Sequence, residues 1–262
     1  MTSGEFPVME CRSLGIDFGG LTAVDDFNII VTPNEISGLI GPNGAGKTTV
    51  FNLLTKVYKP SRGEILLNGK NTKDLNTVRA NKAGIARTFQ NIRLFKEMTV
   101  LENVLVGLHN EMNYRLFGAI VRLPGSAYWR EERAAKDRAI DLLSIFNMQD
   151  LAGKTAGSLP YGSQRKLEIV RALATNPVIL LLDEPAAGMN PSETGELMEN
   201  IRKIRDTFRI AILLIEHDMH LVMGICERIV VLNYGSIIAR GTPEEIRSNP
   251  QVIEAYLGKA RG

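Results

Sequence analysis

A glycine-rich stretch at residues 41–49, GPNGAGKTT, has the residue types needed to bind the phosphates of a nucleotide. It lies between an apolar strand pattern, ISGLI at 36–40, and apolar residues at helical spacing. Glycines permit a tight turn whose amides point inward, and the start of a helix adds positive potential. We expect Lys47 to neutralise the β and γ phosphates, and the Thr48 hydroxyl to bind magnesium. The predicted phosphate loop comprises Gly41, Pro42, Asn43, Gly44, Ala45, Gly46, Lys47, Thr48 and Thr49.

Two adjacent carboxylates, Asp183 and Glu184, follow the apolar run VILLL at 178–182. Neighbouring residues of a strand point to opposite sides, so one carboxylate can face a magnesium ion while the other reaches an attacking water. We assign the metal to Asp183 and the general-base role to Glu184. Ligands bind at the carboxyl edge of parallel sheets, which is where a buried strand would place this pair.

Two further polar residues end apolar patterns, Gln90 in GIARTFQ and His217 in ILLIEHD. Taken alone, a polar residue at such a position is typically structural, with its hydrogen bonds made to neighbouring groups. Together with a phosphate loop they become catalytic candidates, Gln90 for contact with magnesium or water and His217 for contact with the γ-phosphate. Phe18, in DFGG, either stacks on adenine or packs in the core.

A second polar elbow, LPYGS at 159–163, precedes an amphipathic helix predicted over 164–175. One nucleotide needs only one phosphate loop, so this second elbow must serve another purpose. Between the two, residues 91–158 have little strand pattern: Thr99 and Glu102 form a capping box, and a charged helix follows. Residues 113–126 form either a short helix or a surface loop. An α/β alternation surrounds this helical lobe, so the fold class is α/β.

The composition of the 262 residues, 44% hydrophobic and 23% charged, is typical of a soluble globular protein. A formal net charge of +2 without a basic stripe argues against nucleic acid as a partner. Cys11 and Cys226 have no neighbours at metal-ligand spacing, which favours reduced cytoplasm. The longest apolar runs are too short to cross a bilayer, so any membrane role must come through a partner.

The phosphate loop, TFQ, LPYGSQ, LLLDEP and IEHD occur in an order that resembles the nucleotide-binding subunit of an ABC transporter. The resemblance covers essentially the whole chain. Within that family, three segments resemble most closely the ATP-binding subunit of branched-chain (hydrophobic) amino acid importers. Of the two paired subunits in such importers, they resemble the one whose name ends in G. The segments are GPNGAGKTTVFNLLTKVYKP, ARTFQNIRLFKEMTVLENVLVGLH and GTPEEIRSNPQVIEAYLG.

The resemblance implies one ABC ATPase domain over 1–262, with a P-loop NTPase core of mixed sheet at 1–90 and 159–262. An antiparallel β lobe lies near the N-terminus, and 91–158 is an inserted helical lobe. ATP and Mg²⁺ are the implied ligands. The implied partners are a second ATP-binding subunit in a homo- or heterodimer, two transmembrane permease subunits and, indirectly, a solute-binding protein. The implied location is the cytoplasmic face of the inner membrane.

By the same resemblance, LPYGS occupies the position of the family's Leu-Ser-Gly-Gly-Gln signature, whose helix N-terminus caps a γ-phosphate held by the other subunit. The sequence departs from this pattern, because proline, tyrosine and serine replace the family's serine, first glycine and glutamine. The hydroxyl missing at 160 removes one of the signature's contacts with the γ-phosphate, and the hydroxyl at 163 is a candidate substitute. The predicted signature segment is Leu159, Pro160, Tyr161, Gly162 and Ser163.

Other functions compete with this one. A soluble ABC ATPase of DNA repair or translation would carry a long coiled coil or tandem cassettes, whereas this chain has a short insert at 91–158 and a single phosphate loop. A small-molecule kinase would not explain LPYGSQ or His217. The solute also stays open between amino acids, urea and short amides. The segment NIRLFKEM, with Ile92, Leu94, Phe95 and Met98, either contacts the transmembrane subunit or packs in the core.

Overall fold

The computed structural model describes residues 6–108 and 127–257, and residues 113–126 lie outside the described part. It divides into two compact units, Met1–Gln90 with Val178–Gly262, and Asn91–Pro177. The strands and helices of both units, in chain order, are β1 Met9–Phe18, β2 Leu21–Val31, β3 Ile36–Ile40, α1 Lys47–Leu54, β4 Arg62–Leu67, β5 Lys70–Asn71, α2 Thr77–Lys82, β6 Ile85–Arg87, α3 Val100–Leu108, α4 Ala127–Ser144, α5 Tyr161–Leu173, β7 Ile179–Asp183, α6 Pro191–Phe208, β8 Ala211–Ile215, α7 Met219–Ile225, β9 Arg228–Asn233, β10 Ser236–Gly241, α8 Pro243–Arg247 and α9 Pro250–Leu257.

A six-stranded sheet in the order β10-β9-β3-β8-β7-β6 forms the centre of the first unit. Its pairs from β9 to β6 are parallel, and β10 is antiparallel to β9. Every residue of β3, β7 and β8 is buried, which is why these strands are continuous apolar runs rather than alternating ones. The carboxyl ends of β3 and β7 therefore open on the same edge of the sheet, where the predicted site residues follow them.

A four-stranded antiparallel sheet, in the order β2-β1-β4-β5, completes the first unit. Alternate residues of β2 point inward, and Phe27 and Val31 are fully buried. They share one hydrophobic core with Phe51 of α1 and with Leu39 and Leu213 of the six-stranded sheet. Packing in this core thus fixes the helix that follows the phosphate loop. The two sheets are the mixed sheet and the antiparallel β lobe that the sequence analysis predicted.

The described part of the second unit contains the α-helices α3, α4 and α5 and two short 3-10 helices, Gln149–Leu151 and Ala156–Ser158. The predicted capping box is confirmed: the Glu102 amide donates to Thr99 Oγ1 at 3.1 Å, and the Thr99 amide donates to Glu102 Oε2 at 2.7 Å. At Gly107 of α3 a Cβ would lie 2.5 Å from the Arg171 carbonyl of α5, so the two backbones approach closely. This packing explains why the unit runs to Pro177 and includes residues 159–177, which the sequence assigned to the core.

Other boundaries also differ from the expectation. Helix α5 begins at Tyr161 rather than at residue 164. Val57, which is at helical spacing from Val50 and Leu54 in the sequence, lies past the end of that helix and is exposed, because Lys56 adopts a left-handed conformation with φ 61°. Asn68 and Gly69, a residue pair typical of hairpin turns, form the turn between β4 and β5, and both have positive φ, as a type I′ turn requires.

Candidate active site

The phosphate loop joins β3 to α1, and two of its glycines are required by the space around them. At Gly41, φ is 151° and a Cβ would lie 2.0 Å from the Leu232 carbonyl. At Gly46, φ is 102° and a Cβ would lie 2.8 Å from the Ala23 carbonyl. Side chains at these positions would disrupt the turn, so the glycines are needed for the loop's concave form.

The turn between β9 and β10 supports the phosphate loop from one side. The Gly235 amide donates to the Ala45 carbonyl at 2.9 Å, and the Gly235 carbonyl accepts from the Asp25 amide at 2.9 Å. The stretch NYG at 233–235 is typical of a hairpin turn, but its sequence does not reveal this contact with the loop. The parallel pairing of β9 with β3 brings this distant turn to the loop.

Lys47 is the first residue of α1 and is almost fully buried. Its Nζ donates to the Gly41 carbonyl at 2.6 Å and to the Pro42 carbonyl at 3.0 Å. Burial lowers the pKa of the ammonium, while the nearby carboxylates of Glu184 and Asp183 raise it. Their field favours the charged form that phosphate binding needs.

A cleft of about 1000 Å³ lies in front of the loop. It brings together most of the predicted site residues, namely 43–49, Gln90, Glu184 and His217. Leu21, Thr22, Ala23, Tyr234 and Gly235 complete the lining, and no sequence signal marked them. Gly41, Pro42 and Asp183 belong to the elements that build the cleft but are not among its described lining residues.

Phe18 is also outside the described lining of the cleft. Its ring is partly exposed and meets Tyr58 edge to face, with ring centroids 5.2 Å apart. The structure therefore places Phe18 in an aromatic pair at the surface rather than in the core. Stacking of this ring on adenine stays a prediction.

The carboxylate of Glu184 is held from two sides. Gln90 Nε2 donates to Oε2 at 2.9 Å, and His217 Nε2 lies 2.7 Å from Oε1. The sequence analysis explained the different directions of Asp183 and Glu184 by alternation along one strand. That explanation is wrong, because β7 ends at Asp183 and Glu184 has φ 48°. The left-handed backbone, rather than strand alternation, turns Glu184 into the cleft.

Gln90 does not end a strand, as its sequence pattern had indicated. Strand β6 ends at Arg87, and Gln90 follows in a bend. Thr88 still bonds like a strand residue, since its amide donates to the Leu181 carbonyl at 2.9 Å. Gln90 is therefore on a short segment anchored to β7, close enough to reach Glu184.

Asp183 is buried at the end of β7 and forms an ion pair with Arg87, with Nη2 and Oδ2 2.7 Å apart. Sequence reasoning missed Arg87, which lies in an otherwise apolar strand segment. A charged residue at that place in a buried strand was the available signal, because buried charges are nearly always paired.

Glu216 is a second residue that the sequence analysis missed. Its buried carboxylate accepts backbone N–H groups from Ala186, His217 and Asp218, at 2.7, 2.9 and 3.3 Å. Burial raises the pKa of this carboxyl, and the three N–H donors oppose that shift. The side chain joins the loop after β7 to the loop after β8, and so fixes the backbones around Glu184 and His217.

The signature segment forms the start of α5 in the second unit. Pro160 is the N-cap and makes no side-chain capping bond, so the first amides of the helix are not capped from within it. Tyr161 is half exposed, and Leu159 is buried beneath the turn. The predicted pairing of a polar elbow with a helix N-terminus is thus present, although proline and tyrosine occupy positions of the family's serine and glycine.

The oxygen donors near the phosphate loop are of the kind that binds magnesium. Among residues 6–108 and 127–257, no three His, Cys, Asp or Glu side chains cluster as a metal site. Magnesium, however, commonly takes one or two carboxylates and completes its shell with water and substrate phosphates. The Thr48 hydroxyl, the Gln90 amide oxygen and the Asp183 carboxylate are oxygen donors of the required kind.

Comparison with known proteins decides the family. The protein-family model described as "ABC transporter" matches residues 24–187, and the family model described as "Branched-chain amino acid ATP-binding cassette transporter" matches residues 236–261. The chain belongs to the ABC transporter family. As an ABC cassette it binds ATP and is an ATPase. None of its described helices is both long and apolar enough to span a membrane.

Two curated relatives of this ABC cassette are similar over nearly their whole length. The high-affinity branched-chain amino acid transport ATP-binding protein LivG of Escherichia coli K12 is 50% identical over 97% of this chain and 99% of the relative. The corresponding BraF of Pseudomonas aeruginosa is 49% identical over the same shares. A crystal structure of a nucleotide-free ATP-binding cassette from an ABC transporter has a TM-score of 0.82 and 30% identity, covering 97% of this chain and 100% of that one.

Proposed function

We propose that this cassette is the ATP-hydrolysing subunit that powers import of branched-chain or other hydrophobic amino acids through partner membrane subunits. The observation that carries the proposal is the 50% identity to LivG across 97% of the chain. The C-terminal match at 236–261 to the branched-chain cassette model supports the same solute class. Urea, short amides and other amino acids are the alternative solutes.

The phosphate loop binds the β and γ phosphates of ATP in this proposal. Residues 43–48 line the cleft, and the N-terminus of α1 adds positive potential there. The Lys47 ammonium has three N–H donors, of which Gly41 and Pro42 accept two, so one can serve a phosphate oxygen. Phe18 and the lining residues Leu21 and Tyr234 are the apolar candidates for contact with the base.

Glu184 is the general base that activates water for attack on the γ-phosphate. Gln90 and His217 hold its two oxygens in a fixed orientation, and either can also contact the water or the phosphate once these occupy the cleft. Thr48, Gln90 and Asp183 would hold Mg²⁺, which neutralises phosphate charge when it is bound. A positioned base typically contributes about 10² to 10⁴ in rate.

The signature segment acts on a nucleotide held by a second ATP-binding subunit. The amides at the start of α5, which its N-cap Pro160 does not cap, and the positive dipole suit a phosphate, and Gly162 has no side chain to obstruct one. The Ser163 hydroxyl takes the place of the one missing at Pro160. The working unit is therefore a dimer, of two copies or of two similar subunits.

The partners follow from the same proposal. Two permease subunits carry the solute, a solute-binding protein delivers it, and this cassette is attached to them at the cytoplasmic face of the inner membrane. The exposed ring of Phe95 is a candidate contact with a permease. A DNA-repair or translation role finds no support in the formal charge of +2.

Reconstitution tests the proposal. The cassette is combined with its genomically neighbouring cassette, permeases and binding protein in vesicles, and uptake of labelled leucine, urea and acetamide is measured with internal ATP and Mg²⁺. We expect leucine uptake that requires ATP and is lost in the Glu184→Gln variant. Uptake of urea or acetamide without leucine uptake would show that the solute is not a branched-chain amino acid. If the ATPase is active but none of the three solutes is taken up, the transport role is rejected.

A further inference from the structure

Arg87 is a buried guanidinium that contacts two elements of the candidate active site. Its Nη2 donates to Asp183 Oδ2 at 2.7 Å, and its Nη1 donates to Asn52 Oδ1 of α1 at 2.7 Å. The side chains of Arg87 and Asp183 are 6% and 4% exposed. Removing a charge pair from water to this extent costs desolvation free energy, which is offset only when the geometry is fixed and several hydrogen bonds are made.

Two aromatic rings lie next to the same guanidinium, each in a cation–π contact with it. The guanidinium carbon lies 5.4 Å from the ring centroid of Phe51 and 5.1 Å from that of Phe89. Phe51 belongs to α1, and Phe89 immediately precedes Gln90 in the chain. These contacts and the two hydrogen bonds together restrict rotation of the guanidinium, so its two donor nitrogens point in fixed directions.

The three segments joined in this way each carry one of the oxygen donors assigned to magnesium. Asn52 lies one helical turn after Thr48 on α1, so the two share a face of that helix. Phe89 adjoins Gln90, and Asp183 is contacted directly. The contacts of Arg87 therefore reach all three segments.

We propose that Arg87 is a positioning residue for the magnesium site: it occupies Asp183 Oδ2 and fixes Thr48, Gln90 and Asp183 relative to one another. The inference rests on the proposed assignment of these three residues to magnesium. A lysine cannot reproduce it, because an ammonium has no planar fork to reach Asn52 and Asp183 while contacting two rings. Partners of metal ligands typically change metal affinity by about 10- to 100-fold when they are removed.

The test compares Arg87→Lys and Arg87→Met with the wild type and with Asp183→Asn. Binding of a fluorescent ADP analogue is measured in EDTA and across a Mg²⁺ titration, and Mn²⁺ binding in the presence of ADP is followed by electron paramagnetic resonance. These readouts need no turnover. Ile204→Val, at a fully buried position on α6 away from the cleft, is the control for loss of stability.

We expect both Arg87 variants to bind the analogue normally in EDTA and to need about 10- to 100-fold more Mg²⁺ or Mn²⁺, as Asp183→Asn does. Asn52→Ala, which removes one anchor of the guanidinium, should give a smaller shift in the same direction if the Arg87 variants fail to fold. A lower melting temperature with an unchanged metal requirement, as expected for Ile204→Val, would overturn the inference. An unchanged requirement in Asp183→Asn would instead reject the assignment of Asp183 in the proposed function.

Discussion

Glu184 Oε1 and His217 Nε2 lie 2.7 Å apart, and Gln90 occupies the other oxygen of the same carboxylate at 2.9 Å. The backbone of Glu184 is left-handed, with φ 48°, which is unfavourable for a residue with a side chain. Its amide nevertheless donates to the Ile215 carbonyl at 2.9 Å, so the conformation is held by β8. Strained residues held in this way concentrate at functional sites.

Replacing the carboxylate by an amide should separate binding from hydrolysis. Glu184→Gln keeps the shape and removes only the base, so we expect ATP affinity to stay within about twofold and turnover to fall about 10²- to 10⁴-fold. The variant should accumulate as an ATP-bound dimer. Turnover by purified protein and ATP-dependent dimerisation by size exclusion measure the two effects. Unchanged turnover would reject Glu184 as the base.

Glu216 gives a prediction about positioning rather than chemistry. In Glu216→Gln, one oxygen becomes an NH₂ group that faces a backbone N–H, so at least one buried amide loses its acceptor. We expect a stability loss of about 1–3 kcal/mol and slower hydrolysis, with nucleotide affinity retained because the phosphate loop is untouched. Denaturant unfolding and turnover are the measurements. Normal turnover at full stability would show that the two loops do not depend on this carboxylate.

Much of the fold could be predicted because its signals are local. The apolar runs of β3, β7 and β8, the capping box of Thr99 and the Asn68-Gly69 turn each depend on a few adjacent residues. The phosphate loop is likewise defined by its own glycines and by Lys47. These features need no knowledge of distant contacts, so the sequence pattern was sufficient to place them.

The missed features depend on residues far apart in the chain. Arg87 meets Asp183 across two parallel strands, and Gly235 reaches Ala45 only because β9 pairs with β3. The turn of Glu184 into the cleft depends on a backbone conformation that strand alternation cannot predict. Helix α5 was grouped with the core because its contact with α3 at Gly107 has no sequence signature.

The two cysteines allow a prediction about pH. Burial raises the pKa of the Cys11 thiol to about 12 and raises the pKa of Cys226 as well, from an ordinary value of 9.0. In the unfolded chain these thiols ionise near pH 9, whereas in the folded protein they stay protonated. Their contribution to stability is therefore complete below pH 9 and is lost as pH rises above it, by up to about 1.4 kcal/mol per pH unit for each thiol.

Two measurements check this expectation. Ellman's reagent at pH 8 should react slowly with the folded protein and release both thiols only on unfolding. Urea unfolding between pH 8 and 10.5 should show a steeper loss of stability in the wild type than in a Cys11→Ala/Cys226→Ala double variant. Fast thiol reaction in the folded protein would contradict the burial of these side chains.

Phe95 tests the contact with a permease. Its ring is 50% exposed, and the Arg171 guanidinium lies 5.7 Å from its centroid within the same unit. Loss of an exposed cation–π contact costs only about 0.5–1 kcal/mol, so Phe95→Ala should change the melting temperature little. We expect normal ATPase activity of the isolated subunit and reduced solute uptake in vesicles. A large fall in melting temperature would favour a packing role for the ring.

Gly162 tests the action of the signature segment on another subunit's nucleotide. In Gly162→Asp, a side chain would intrude where the partner's γ-phosphate approaches, and its negative charge would repel that phosphate. The new carboxylate lies in the first turn of α5, where the helix dipole favours negative charge, so we expect no loss of folding stability. ATP affinity of the isolated subunit should also be retained, because Lys47 and the phosphate loop are intact.

Gly153→Asp is the matched control for this variant. It adds the same charge to the same unit, outside the signature segment, at a glycine where an added Cβ would meet no atom within 4 Å. We expect Gly153→Asp to dimerise with ATP and hydrolyse it normally, and Gly162→Asp to lose ATP-driven dimerisation and most hydrolysis at an unchanged melting temperature. If the segment were only a cap for its own helix, Gly162→Asp would dimerise normally wherever it is folded. Nucleotide affinity, melting temperature and dimerisation measured on these two variants distinguish a contact with the partner's γ-phosphate from a local cap.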